Sequence, residues 1–322
     1  MATTKYDLCG IGNAIVDVVA PVSEGFLSKH DMRKGGMALI SAEQADALYH
    51  DLPKGQESSG GSAANTCAVA AGLGAKVAFL GKVADDALGR VFRDDIVAAG
   101  VAFPTAPLSG GAPTARCLIA VTDDAQRTMN TFLGACVAFG PADLDEAVIA
   151  DSAVTYLEGY LFDPPEAQAA FRRAAAVAHG AGRKVALSLS DAFCVDRHRA
   201  AFRDLVAGHV DILFANEAEI CSLYEKNSFA EAAELAAKDV ALAALTRSEA
   251  GSVILHEGQQ ITVAAEPAKV VDTTGAGDAY AAGFLAGMAH GRDLAACGAL
   301  GSRAAAAVIG QYGARTKVEL AS

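Results

Sequence analysis

The sequence predicts an α/β fold, with a mostly parallel sheet covered by helices on both faces and a small β lid at one edge. Three observations carry this. Short apolar runs read as buried strands, Ala-rich segments of helical period separate them, and two stretches break the alternation into short strands. The first run is Tyr6–Ile11. The runs 77–80 (VAFL), 154–157 (VTYL), 185–189 (VALSL), 211–214 (DILF) and 240–245 (VALAAL) repeat it without polar alternation. Strands buried on both faces have that pattern. Segments 165–179, 196–207 and 217–224 supply helices between them. Right-handed crossovers then place helices on both faces of one sheet.

Residues 13–22 and 37–40, and again 115–121 and 127–132, read as short strands joined by polar turns, one of them Thr122-Asp123-Asp124. Antiparallel hairpins there would form a lid over the sheet's carboxyl edge, where open α/β sheets bind ligands. On this reading residues 1–322 are one domain, with the lid drawn from segments about 13–53 and 104–133.

Composition narrows the function. With 52% hydrophobic and 20% charged residues the chain folds rather than staying disordered. A net charge of -12 disfavours binding to nucleic-acid backbones. No run approaches the roughly 20 apolar residues that span a bilayer, and the start has no signal-peptide pattern. Seven scattered cysteines without C-x-x-C argue against a disulfide framework or structural zinc. The expectation is a cytoplasmic protein, monomer or homodimer, whose partner is a small molecule.

The most informative stretch is Asp272–Phe284, DTTGAGDAYAAGF. Gly275 and Gly277 allow backbone turns that point successive N–H groups into one concavity, and the following helix adds its positive end. Gly275, Ala276 and Gly277 are therefore candidates for an anion hole. Asp278 would sit beside the bound anion, an odd place for a negative charge unless it accepts a proton from an attacking hydroxyl. Capping the helix is the competing role for Asp278.

Other pieces have chemistry of their own. Gly60-Gly61 lets backbone approach a polar ligand closely, and Asn65 both donates and accepts. Asp17 follows Ile15-Val16, which suggests a strand end beside a cleft, and a carboxylate suits a vicinal diol. Asn216 and Glu219 share a helix face after a buried run, either as a phosphate-side pair or as a capping box. Gly10-x-Gly12 lacks the third glycine of a dinucleotide site, and no G-x-x-x-x-G-K-[ST] loop exists. The cluster Arg197-His198-Arg199 with Arg203 reads as a solvated helix face.

In combination these motifs resemble the ribokinase-like, or PfkB, carbohydrate kinases, over essentially the whole chain. The 272–284 string is similar to that family's C-terminal signature, which implies that Asp278 is the catalytic base. Residues 58–74, SSGGSAANTCAVAAGLG, are similar to the N-terminal signature, which implies sugar contacts at Gly60, Gly61 and Asn65. The opening GIGNAIVD resembles the family's adenosine-kinase branch, with Asn13 and Asp17 matching positions that hold ribose hydroxyls.

NEAE at 216–219 matches an N-x-x-E element, implying that Asn216 and Glu219 organise phosphate and hydrated Mg²⁺. Thr246 and Gly251 match a phosphate loop, T-x-G-x-x-G, in which Ser248 replaces the first glycine. Asp272 and Thr274 match positions of a K⁺ site found in relatives, and the stretch VIGQYGAR at 308–315 would supply the rest of it. The resemblance implies a three-layer α/β/α kinase that uses ATP and Mg²⁺ on a sugar or nucleoside hydroxymethyl group, adenosine foremost. A free sugar such as ribose or fructose, or another nucleoside such as inosine or guanosine, is the alternative substrate. Few aromatic side chains are placed to stack on a base: Phe132, and Phe26 or Phe103.

Overall fold

A computed structural model of the chain describes residues 4–315. Its larger sheet has nine strands. In order they are Gln259–Val263, Ser252–His256, Leu242–Thr246, Ile212–Asn216, Lys184–Ser188, Ser152–Glu158, Tyr6–Ile11, Val77–Leu80 and Val101–Ala102. The strands from Leu242–Thr246 to Val101–Ala102 run parallel, as the continuous apolar runs predict. The two at the other edge fold back antiparallel. Two apolar clusters, one on each side of this sheet, form the core; Phe79 and Phe92 anchor one, Phe162 and Phe171 the other.

The chain begins in the middle of this order, works outward to Val101–Ala102, and later returns on the other side of Tyr6–Ile11. The strand order therefore reverses between Tyr6–Ile11 and Ser152–Glu158. A crevice opens beyond their carboxyl ends, where such sheets bind ligands.

A second sheet covers that edge. Its five strands run in the order Met37–Leu39, Arg127–Phe132, Ala115–Val121, Ile15–Pro21 and Gln56–Gly60. Only Ala115–Val121 and Arg127–Phe132 form the expected hairpin. The segments at 13–22 and 37–40 do not pair with each other. Ile15–Pro21 lies parallel to Ala115–Val121, and Met37–Leu39 lies parallel to Arg127–Phe132. The partner of Ile15–Pro21 on its other side is Gln56–Gly60. That strand reads QESSG, too polar for apolar periodicity to reveal.

Candidate active site

Most of the motif residues line one cleft of about 1940 Å³, among them Asn13, Asp17, Gly61, Asn65, Asn216, Glu219, Thr246, Gly251, Thr274, Gly275, Ala276, Gly277 and Asp278, whereas Gly60 and Asp272 lie outside its lining. A single-ligand pocket takes roughly 300–1,000 Å³, so this cleft has room for two ligands side by side.

Asp278 stands in the first turn of the Ala276–Ala289 helix. Its Oδ1 accepts from Ser62 Oγ at 2.6 Å and its Oδ2 from Asn65 Nδ2 at 3.3 Å. Burial raises its carboxyl to about pKa 6, against the opposing pull of these donors and of Arg315. The carboxylate does not cap its helix: the N-cap, Gly275, has no side-chain cap. Ala276 N–H is bound by Thr273 O at 3.2 Å. The helix start leaves the N–H groups of Gly277 and Asp278 without an intrahelical acceptor.

The sugar-side residues come from two stretches of chain, 13–17 and 60–65. Gly61 follows the Gln56–Gly60 strand and caps the Ser62–Gly72 helix with φ +100°, and a Cβ there would lie 2.1 Å from Asn13 O. No other residue fits, and that is what brings the helix carrying Asn65 against Asn13. Asp17 is not at a strand end. It is the third residue of Ile15–Pro21, paired with Ser58 and Cys117 and facing the cleft. Its carboxyl packs against Gly60 and is also raised to about pKa 6 by burial.

Across the cleft, Asn216 and Glu219 form a complete capping box. Asn216 Oδ1 accepts from Glu219 N at 2.9 Å, and the Glu219 carboxylate accepts from Asn216 N at 2.9 Å and Nδ2 at 2.6 Å. The box leaves Glu219 buried, pushed up to about pKa 7, and without a cationic partner among the described residues. Ser248 sits at φ +50°, so the loop keeps the left-handed turn that a glycine would adopt. Ser248→Gly is therefore expected to raise stability by up to about 1 kcal/mol, read in urea melts. Because the backbone path is unchanged, KM for ATP should stay within about twofold.

Three further side chains in the site, none of them named as a site residue from the sequence, are Glu158, Arg127 and Arg315. Glu158 ends its strand at the point of reversal and is buried, with its carboxyl raised to about pKa 7. Its Oε1 accepts from Asn13 Nδ2 at 2.7 Å and its Oε2 from Ala63 N at 2.7 Å, which locks Asn13 to the Ser62–Gly72 helix. Arg127, from the lid, pairs with Asp272. Arg315 reaches Asn65, with Nε donating to Oδ1 at 2.9 Å.

The expected aromatic stackers are elsewhere. Phe103 packs against Phe79 and Phe92, Phe26 lies against His30, and Arg116 lies over Phe132. The lid instead turns Ile15, Val19, Met37, Leu39, Met129 and Leu133 toward the cleft.

A carboxylate facing a two-ligand cleft beside a helix start, under a lid, is the apparatus of phosphoryl transfer to a hydroxyl. Comparison decides the lineage: residues 37–321 match the pfkB family carbohydrate kinases. The chain belongs to the PfkB family of kinases. A solved adenosine kinase from Sinorhizobium meliloti is 53% identical, covers 98% of each chain and superposes with a TM-score of 0.89. A probable sugar kinase from Rhizobium etli CFN 42 is 49% identical over 97% of this chain and 96% of its own, also at 0.89. Adenosine kinase 1 of Arabidopsis thaliana is 25% identical over 97% of both chains. As a PfkB kinase this protein is a phosphotransferase with ATP as donor and the ribokinase-like fold described above. No helix of the described residues is long and apolar enough to cross a membrane.

Proposed function

We propose that this kinase phosphorylates the 5′-hydroxyl of adenosine. The observation that carries the reading is Asp278, held by Ser62 and Asn65 at the floor of the cleft and facing Asp17 across the substrate half. Asp17 accepts from the ribose diol, while Asn13, Gly60, Gly61 and Asn65 bound the sugar. The aliphatic lid face covers the base. A free sugar has no apolar part to match that face, which favours a nucleoside.

The mechanism follows from the chain's own groups. Asp278 takes the hydroxyl proton as the oxygen attacks the γ-phosphorus in line, while the bond from that phosphorus to the β,γ-bridging oxygen breaks and ADP leaves. The N–H groups of Gly277 and Asp278, next to Gly275 and Ala276, stabilise the charge on the transferring group. Thr246 and Gly251 flank the polyphosphate, and Val270, Ile309 and Tyr312 offer an apolar wall for the base of ATP. Glu219, buried at the cleft with no cation beside it, fits a role in holding the water shell of magnesium, whose charge would neutralise the ATP phosphates. The described residues of one chain line the cleft, which suits a monomer or a homodimer alike, and seven unpaired thiols suit a reducing cytoplasm.

A resident K⁺ does not fit. Asp272 already receives Thr274 N at 3.0 Å, Thr274 Oγ1 at 2.7 Å, Gly313 N at 3.1 Å and the Arg127 guanidinium. With that counter-charge in place, replacing K⁺ by tetramethylammonium is expected to change the rate by less than about twofold. A tenfold or larger loss, equivalent to about 1.4 kcal/mol of barrier, would show that the ion is needed.

The substrate is tested by ADP release from MgATP with adenosine, inosine, guanosine, ribose and fructose. Adenosine is expected to give the highest kcat/KM. A value no better than that of ribose or fructose would retire the nucleoside reading.

A further inference from the structure

We propose that Arg315 is a positioning residue for the catalytic base, orienting the Asn65 amide toward Asp278 and holding the carboxylates of the cleft together. The proposal rests on Asp278 as base but not on the choice of adenosine.

A guanidinium only donates, so the Asn65 atom facing Arg315 Nε at 2.9 Å must be the carbonyl oxygen. The amide NH₂ is thereby turned to Asp278 Oδ2. Without Arg315 the amide is free to flip and present its oxygen to the carboxylate, which would repel it. The arginine is itself pinned. Its Nη1 donates to Ser59 Oγ at 2.7 Å and lies 3.4 Å from Asp95 Oδ2, while Ser59 N and Oγ donate to the same Asp95 oxygen at 2.8 and 2.5 Å.

The loop bearing Arg315 is seated on the start of the anion-hole helix, for a Cβ on Gly275 would come within 2.7 Å of Ala314 Cβ. Arg315 thus ties that helix start to the substrate-side helix across 250 residues of sequence. Its Nη2 is buried with no acceptor among the described residues, so the guanidinium keeps an unpaired donor.

The charge matters as well as the hydrogen bonds. Asp278 is faced by Ser62 and Asn65 from their helix, by Asp17 from the lid, by Tyr156, Glu158 and Tyr160 from the Ser152–Glu158 strand and its exit, by Glu219 from across the cleft, and by Arg315. Arg315 is the one cation among the groups facing Asp278, while Asp17 also faces Arg127 and Cys117 of the lid. Its field favours the ionised forms of Asp278 and Asp17, so removing it should move both toward protonation at a given pH.

The test is the pH profile of kcat/KM for Arg315→Met and Arg315→Lys, using whichever acceptor the wild type phosphorylates best. Failure of the adenosine reading then leaves this test intact. Arg315→Met should move the acid limb up by about one pH unit, so that it loses about tenfold more rate at pH 6 than at pH 8. KM for ATP should stay within about twofold. Arg315→Lys, which keeps the charge but not the fork, should keep the limb in place and lose kcat only. If Arg315→Met fails to fold, Arg315→Gln replaces it with the same expectation. A neutral variant whose loss is equal at every pH, with the limb unmoved, would overturn the proposal.

Discussion

Asp278→Asn is expected to lower kcat by about 10² or more while leaving KM for ATP nearly unchanged, since general-base help is typically worth 10²–10⁴. The amide has the carboxylate's shape and can still accept from Ser62, so the helix start and the cleft should survive. What is lost is the lone pair that receives the hydroxyl proton. The groups proposed to flank the nucleotide, Asn216, Thr246 and Gly251, line the same cleft, whereas the hydrogen-bond partners of Asp278 are Ser62 and Asn65. Steady-state kinetics with both substrates varied checks this, and turnover near the wild-type value would refute the base assignment.

Asp17→Asn should be nearly as damaging but in a different constant. Hydrogen bonds to a charged group are worth about 1.5–3 kcal/mol each, and a carboxylate accepting from both ribose hydroxyls makes two. The expected loss in kcat/KM is about 10²–10³, carried mainly by KM for the nucleoside. The substitution should also blunt discrimination: the penalty that the wild type shows for 2′-deoxyadenosine should shrink in the variant. Equal penalties in the two enzymes would remove Asp17 from the diol.

Much of this arrangement was legible in the sequence because it is written locally. The parallel strands announce themselves as apolar runs, and the 272–284 string encodes both the helix start and its carboxylate. The rest depends on contacts between distant segments. Gln56–Gly60 becomes a strand because Ile15–Pro21 offers it a ladder, not because QESSG has strand character. The antiparallel edge at Ser252–His256 and Gln259–Val263 turns on a short loop that the α/β alternation does not foretell.

Glu158 looks like any polar residue after an apolar run until Asn13 arrives from 145 residues away. Arg127 opens a predicted lid strand and Arg315 ends the 308–315 stretch, but only the folded chain sets their guanidiniums beside Asp272 and Asn65. The sequence puts Asp17 at a strand end and the structure inside the strand for the same reason: alternation marks a strand's inner face, but not where pairing begins and ends.

The measurement that bears most directly on the base is the pH dependence of kcat/KM in the wild type and in Asp278→Asn. Asp278 and Asp17, both raised to about pKa 6 by burial, must be ionised to work, so activity should fall as pH drops through that region and level off above it. Two required carboxylates make the wild-type limb steeper than about one decade per pH unit, and Asp278→Asn should leave the shallower limb of Asp17 alone. A wild-type profile flat down to pH 5, or a limb equally steep in the variant, would contradict the account.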